Sequence, residues 1–222
     1  MRAFRRERGA LVAELDATER GVFAAVVADV ADLLGAGRLE ERAPDEPGAA
    51  DTAGMIGMSL RTQEIEPPED DAVRRLLPDA SVDDEEVAAE FRRLTEDDLR
   101  RVKVERLTWF WDALTAGPGS DWPSDAVVVP LERGGSVAAT LTDLRLVLAD
   151  RLGLHEDEDA ESLYVELDGE PSEDEDDPQA DVRRYLGAVY VSLSWLQETL
   201  MSALLDDLGR TGRGTQAGGG DD

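Results

Sequence analysis

Apolar residues recur at alternating steps of four and three along the last part of the chain. Val182, Leu186, Val189, Leu193, Leu196, Leu200 and Ala203 keep the spacing of one face of an α-helix, and a stripe that wide is stable only when buried. Asp177 followed by Pro178 predicts its start, because Asp caps free amides and proline loses nothing at the first helical position. Gly209 predicts its end. Upstream, Val137, Leu141, Leu144, Leu148 and Leu152 repeat the pattern, with Ser136 as the candidate N-cap and Gly153 as the stop. The two helices are expected to pack on each other.

Shorter patterns organise the rest. Alternating residues around Arg8-Gly9 predict a hairpin whose return strand is Leu11 to Leu15. Asp16-Ala-Thr-Glu19 has the form of a capping box, opening a helix through Val22, Phe23, Val26, Val27, Val30, Leu33 and Leu34 up to Gly35. From Gly35 to Glu69 the composition turns to Pro, Gly, Ala and acids, which predicts a long, partly ordered connection with an apolar island at Met55 to Leu60. A short helix follows over Asp70 to Leu77, ending at Pro78. Asp83 to Ala116 reads as two helices meeting at Thr95, where Thr95-Glu-Asp-Asp98 looks like a second capping box. Val87, Phe91 and Leu94 are expected to face inward on the first. On the second, Leu99, Val102, Leu107, Phe110, Trp111 and Leu114 supply an apolar face, with Arg100, Arg101, Lys103 and Arg106 outside it. Trp109 and Trp111 cannot both point the same way.

Val127 to Leu131 is short enough to be a strand and could pair with the hairpin. Glu156 to Asp177 holds thirteen carboxylates and no basic residue. It reads as a solvated acidic loop, spanning 155–177, with a local anchor at Leu163 to Leu167. Residues 209–222 read as a disordered tail. The expected fold is mainly α: a helical bundle-like single domain over residues 1–208, with a small N-terminal β-hairpin and at most one further short strand.

Composition narrows the partners. The chain has 222 residues, 41% of them hydrophobic, enough for one core. It has no apolar run of membrane-spanning length, and the basic start at Arg2, Arg5, Arg6 and Arg8 leads only into a brief stretch at Ala10 to Ala13 before Glu14 interrupts. Together with the absence of cysteine, this predicts a cytoplasmic protein. A formal net charge of −28, from 51 acids against 23 bases, repels a phosphate lattice and argues against direct DNA binding. Met1 to Arg8 could serve as a local basic arm, but a hairpin with solvated arginines outside explains it better.

Candidate chemistry is sparse. Without cysteine, and with His155 as the only imidazole, a Cys-His pair is ruled out and His155 beside an acidic loop is expected to be exposed rather than a base. Tyr164, Glu166, Asp168, Gly169 and Glu175 fall on positions one, three, five, six and twelve of a calcium-loop register. Tyr164 stands where the first carboxylate is needed, so no metal is expected. Phosphate-loop and dinucleotide patterns are missing, and no cofactor or catalytic residue is assigned. Three residues beside the apolar strips are candidates for partner binding: Arg145, Trp195 and Gln197. Arg145 is expected to find a carboxylate such as Glu198, or a helix end, as a structural ion pair between the last two helices. Trp195 has Ala188 and Ser202 one heptad away, which leaves room for a neighbouring chain.

Three stretches, Arg74 to Asp79 (RRLLPD), Thr142 to Leu154 (TDLRLVLADRLGL) and Tyr190 to Leu200 (YVSLSWLQETL), resemble the AosR family of actinobacterial oxidative-stress transcriptional regulators, a domain formerly of unknown function. The likeness runs from about Phe4 to Leu208 and is weakest between Gly35 and Glu69. It implies a cytoplasmic, non-enzymatic regulator acting through an extracytoplasmic-function sigma factor on cysteine-synthesis genes, with a cysteine pair as oxidant sensor. This chain has no cysteine, so the sensing chemistry cannot be carried over. The expectation is therefore contact with a sigma factor or RNA polymerase, whose basic surfaces suit an acidic protein. The alternative is a structural or adaptor protein linked to Clp-type proteolysis, or a homodimer through exposed aromatics.

Overall fold

The computed structural model describes residues 1–42, 67–81, 83–169 and 178–216, with residues 208–216 described by backbone alone. The hairpin forms as read. β1 (Arg2–Glu7) and β2 (Ala10–Glu14) pair antiparallel, and Arg8 and Gly9 between them take φ of 50° and 84°, the positive pair a tight hairpin turn needs. β3 (Ala126–Pro130) adds to the other edge of β2 with Val12 opposite Val128, so the further strand does pair with the hairpin. Being central, β2 buries Leu11, Val12 and Ala13 in succession, and alternation is lost where both faces are covered.

Helix α1 (Ala17–Leu33) starts on the capping box: Asp16 accepts from the Thr18 and Glu19 amides at 2.8 and 2.9 Å, and Glu19 accepts from the Asp16 amide at 2.9 Å. A 3-10 turn at Leu39–Glu41 buries Leu39, an ordered piece of the predicted connection. The Met55 to Leu60 island lies outside the described residues. α2 (Asp71–Leu76) is capped by Asp70 and lies on α4 (Gly134–Leu152). One Asp70 oxygen caps the helix while the other accepts from Arg151 at 2.5 Å. The Arg151 bond holds the Asp70 carboxyl below its usual range. The clamp is thus complete above the unfolded value of about 4 and is lost as pH falls through the depressed folded value. Asp70→Asn should cost at most about 1 kcal/mol at neutral pH. Urea titrations of the two proteins should converge below that range, and a gap that persists there would remove the carboxylate from the account.

The segment read as two helices is one, α3 (Glu85–Thr115), capped by Asp84. The expected break at Thr95 does not occur, because its residues make helix-interior bonds: the Thr95 hydroxyl donates to the Phe91 carbonyl and Glu96 accepts from Arg100 four residues on. Continuity fixes the helical phase. Leu107, Phe110 and Leu114 face the core, and the same face extended backwards carries Lys103, Glu96, Arg92 and Ala88, all buried. Two expectations are therefore corrected. Val87, Phe91 and Leu94 do not face inward but are 51%, 43% and 61% exposed, and Val102, expected on the apolar face of the second helix, is 40% exposed. Lys103 and Arg106 do not lie outside: they donate to the two oxygens of buried Asp143 on α4, at 2.6 and 2.9 Å.

α4 begins at Gly134, not at a Ser136 cap, since a 3-10 turn at Leu131–Arg133 runs straight into it. Gly134 is needed there: a β-carbon would stand 2.7 and 2.9 Å from the side chains of Leu204 and Leu11. Gly153 closes α4 in the left-handed region, as predicted. The first part of the acidic stretch is not a loop but helix α5 (Asp157–Asp168). Asp159 accepts from the His155 and Glu156 amides, and these bonds hold its carboxyl low. Leu163 is fully buried, and a β-carbon on Gly187 would meet it at 2.8 Å. Leu163→Ala should free α5 alone, raising amide exchange across 157–168 with little change in global melting temperature. Uniform exchange throughout the protein would contradict that.

The last helix, α6 (Pro178–Gln216), packs along α4, β1 and α5. It continues past Gly209, the expected stop, so residues 209–216 are helical; Asp177 lies outside the described residues. Among the described residues no helix is long and apolar enough to cross a membrane. The described residues form one mainly helical domain of six α-helices with a three-stranded antiparallel sheet.

Candidate functional site

Val189, Leu193, Leu196, Leu200 and Ala203 of α6 are buried against α4 and the sheet, as their spacing predicts, while Leu186 is only partly buried and Val182, the first member of the expected stripe, is 57% exposed. The opposite face carries Ala188, Val191, Trp195, Glu198, Ser202 and Leu205, alternating by three and four, so α6 presents a second seam outward. Trp195 stands in its middle, 36% exposed.

A groove lies on each side of that indole. The first, of about 530 Å³, is floored by Ala3 to Arg6 of β1 and walled by Trp195, Glu198, Ser202 and Asp206. Its strand edge is tied down by the Phe4 amide, which donates to the Thr199 hydroxyl at 3.2 Å. The second, of about 480 Å³, lies between Arg145, Gln197 and Trp195, with Tyr164 of α5 and Met201 at its rim. All three predicted residues thus meet at one groove.

Their bonding differs in one respect from expectation. Arg145 is not paired with a carboxylate: among the described residues its partners are the Gln197 amide oxygen at 2.8 Å and the Tyr190 hydroxyl at 3.5 Å. Its guanidinium lies 5.3 Å from the centre of the Tyr190 ring. An aromatic face, an amide oxygen and a hydroxyl engage the two terminal nitrogens of this half-buried arginine without the cost of desolvating a second charge, while its Nε has no hydrogen-bond partner among the described residues. Gln197 completes the link by donating to the Thr142 hydroxyl at 2.7 Å. Arg145 and Gln197 therefore lock α4 to α6 from below, and Trp195 and Glu198 are left facing out. Glu198 borders both grooves instead of meeting Arg145.

The N-terminal arginines are engaged within the chain. Arg2 and Arg5 pair with Glu14, Arg6 with Asp207, and Arg8 lies 5.0 Å from the Trp122 ring. His155 is exposed, with its δ-nitrogen 2.6 Å from the Arg75 guanidinium. Tyr164, Glu166 and Asp168 of the calcium-loop register lie on α5, where Glu166 pairs with Arg183. Tyr190, Tyr164 and the β1 floor were not read from the sequence. Tyr190 had a signal, since it stands seven residues before Gln197 on one helix edge; the others come from distant elements.

A family model described as a domain of unknown function (DUF2017) matches residues 1–204. This chain belongs to the DUF2017 family. The DUF2017 match covers the sheet, all of α1 to α5 and α6 through Leu204, and so includes both grooves and their ridge. No curated protein and no solved structure matches the chain.

Proposed function

We propose that this DUF2017 protein is a non-enzymatic regulator of transcription that acts in the cytoplasm by contacting a sigma factor or RNA polymerase through the outward face of α6. The observation that carries this reading is the Trp195 ridge between two grooves, on a chain of net charge −28. Tryptophan flanked by concave surface is the usual anchor of a protein interface, and the negative field speeds encounter with basic proteins. The likeness to AosR at 74–79, 142–154 and 190–200 supports the partner class, because two of those stretches build the Arg145–Gln197 lock. Redox sensing by thiols is excluded from the proposal, since the chain has no cysteine.

Affinity capture from actinobacterial cytosol tests it. At low salt the wild-type protein should retain a sigma factor or polymerase subunit, and raising salt to roughly 0.5 M should weaken retention. Recovery of Clp components, or of only a second copy of the chain, would favour the adaptor reading. Tight retention of bare promoter DNA would defeat both.

A further inference from the structure

The first half of α3 is built inside out. Positions 88, 92, 96 and 103, which face the protein, are Ala, Arg, Glu and Lys, and all four are buried. The opposite face carries Val87, Phe91, Leu94 and Val102, all exposed, and steps of four, three and eight place them on one stripe. Each inward charge has an ion-pair partner within the domain, Arg92 in Asp79, Glu96 in Arg100 and Lys103 in Asp143, with only the second Glu96 oxygen lacking a hydrogen bond among the described residues. Nothing in the packing of the domain therefore calls for apolar side chains on the other side.

The ionic surroundings of the stripe are mostly of one sign, the exception being exposed Arg101 beside Val102, which pairs with Asp98. From residue 83 to residue 98 every exposed charged side chain is a carboxylate, while Arg92 is buried and Arg93 is half-buried against Glu90. Glu86, Glu90 and Asp97, spaced by four and seven, line one edge of the stripe. A second copy of this chain would bring the same acids against these and is disfavoured by the net charge of both molecules.

We infer that the Val87–Phe91–Leu94–Val102 stripe is a docking face for a basic amphipathic helix of another protein. Such a helix lays its apolar residues on the stripe and its lysines or arginines against the acidic edge. The face is on α3, apart from the α6 ridge, and does not depend on the function proposed for that ridge.

The test uses the full chain and a labelled 18-residue helical peptide of Leu and Lys, read by fluorescence anisotropy. The wild-type protein should bind it, and Phe91→Asp with Leu94→Asp should weaken binding at least about tenfold. The two substitutions add negative charge, so an association that is merely electrostatic would strengthen instead. Glu86→Gln with Glu90→Gln should also weaken binding, which keeps the test decisive if the aspartate variant folds poorly. Trp195→Ala should leave binding unchanged. Equal or tighter binding by the aspartate variant overturns the inference, as does equal binding of a Leu and Glu peptide. Light scattering that shows a wild-type dimer split by Phe91→Asp would also overturn it, by assigning the stripe to self-association.

Discussion

Asp143→Ala should destabilise the protein by about 3–5 kcal/mol. Asp143 is 3% exposed and accepts from both the ammonium of Lys103, itself 9% exposed, and the guanidinium of Arg106. Truncating it leaves two cations at the α3–α4 contact with no counter-charge, and the Lys103 head has no short route to water. Removing one donor is a lesser injury: after Lys103→Met the carboxylate keeps Arg106, and a loss of about 1–3 kcal/mol is expected. At this chain length the Asp143→Ala loss corresponds to a fall in melting temperature of roughly 10–15 °C. Thermal and urea unfolding of the two variants check the order. A loss below about 1 kcal/mol for Asp143→Ala would mean that water reaches the cluster.

The second large effect separates two adjacent residues of α6. Trp195→Ala should lower affinity for the captured sigma factor or polymerase subunit at least about 30-fold, the loss expected of a central interface tryptophan. Its effect on folding should be modest, because the indole is partly exposed between the grooves. Leu196→Ala should do the reverse. Leu196 is fully buried, so its truncation should cost about 2–5 kcal/mol of stability and leave the outward face in place. Calorimetric binding together with melting curves resolves the pair. If Trp195→Ala unfolds the domain while Leu196→Ala impairs only binding, the assignment of the two faces is wrong.

Much of the architecture is legible in the sequence, and for local reasons. The Asp16 to Glu19 capping box, the Arg8-Gly9 turn, the Gly153 stop and the inner stripe of α6 depend on residues within a few positions of one another, so a linear reading contains all the parts. Arg145 and Gln197 could be placed beside the core because each borders an apolar strip. What remained hidden was the identity of their neighbours. Tyr190 in place of a carboxylate follows from how α4 and α6 cross.

The sequence by itself thus determined the ends of α1 and α2, the Gly153 stop of α4 and the inner stripe of α4, because caps and apolar spacing act over short range. It also determined that thiol chemistry is excluded, through the absence of cysteine. Only the tertiary structure decided which way the charged half of α3 turns. A helix with Val87, Phe91 and Leu94 on one face and Arg92, Glu96 and Lys103 on the other has no intrinsic inside; the phase is imposed by Leu107, Phe110 and Leu114 further along the same rigid rod and by Asp143 waiting on α4. For the same reason the acidic stretch after Glu156 becomes a helix: Leu163 finds the space beside Gly187, a contact that exists only once α6 has packed.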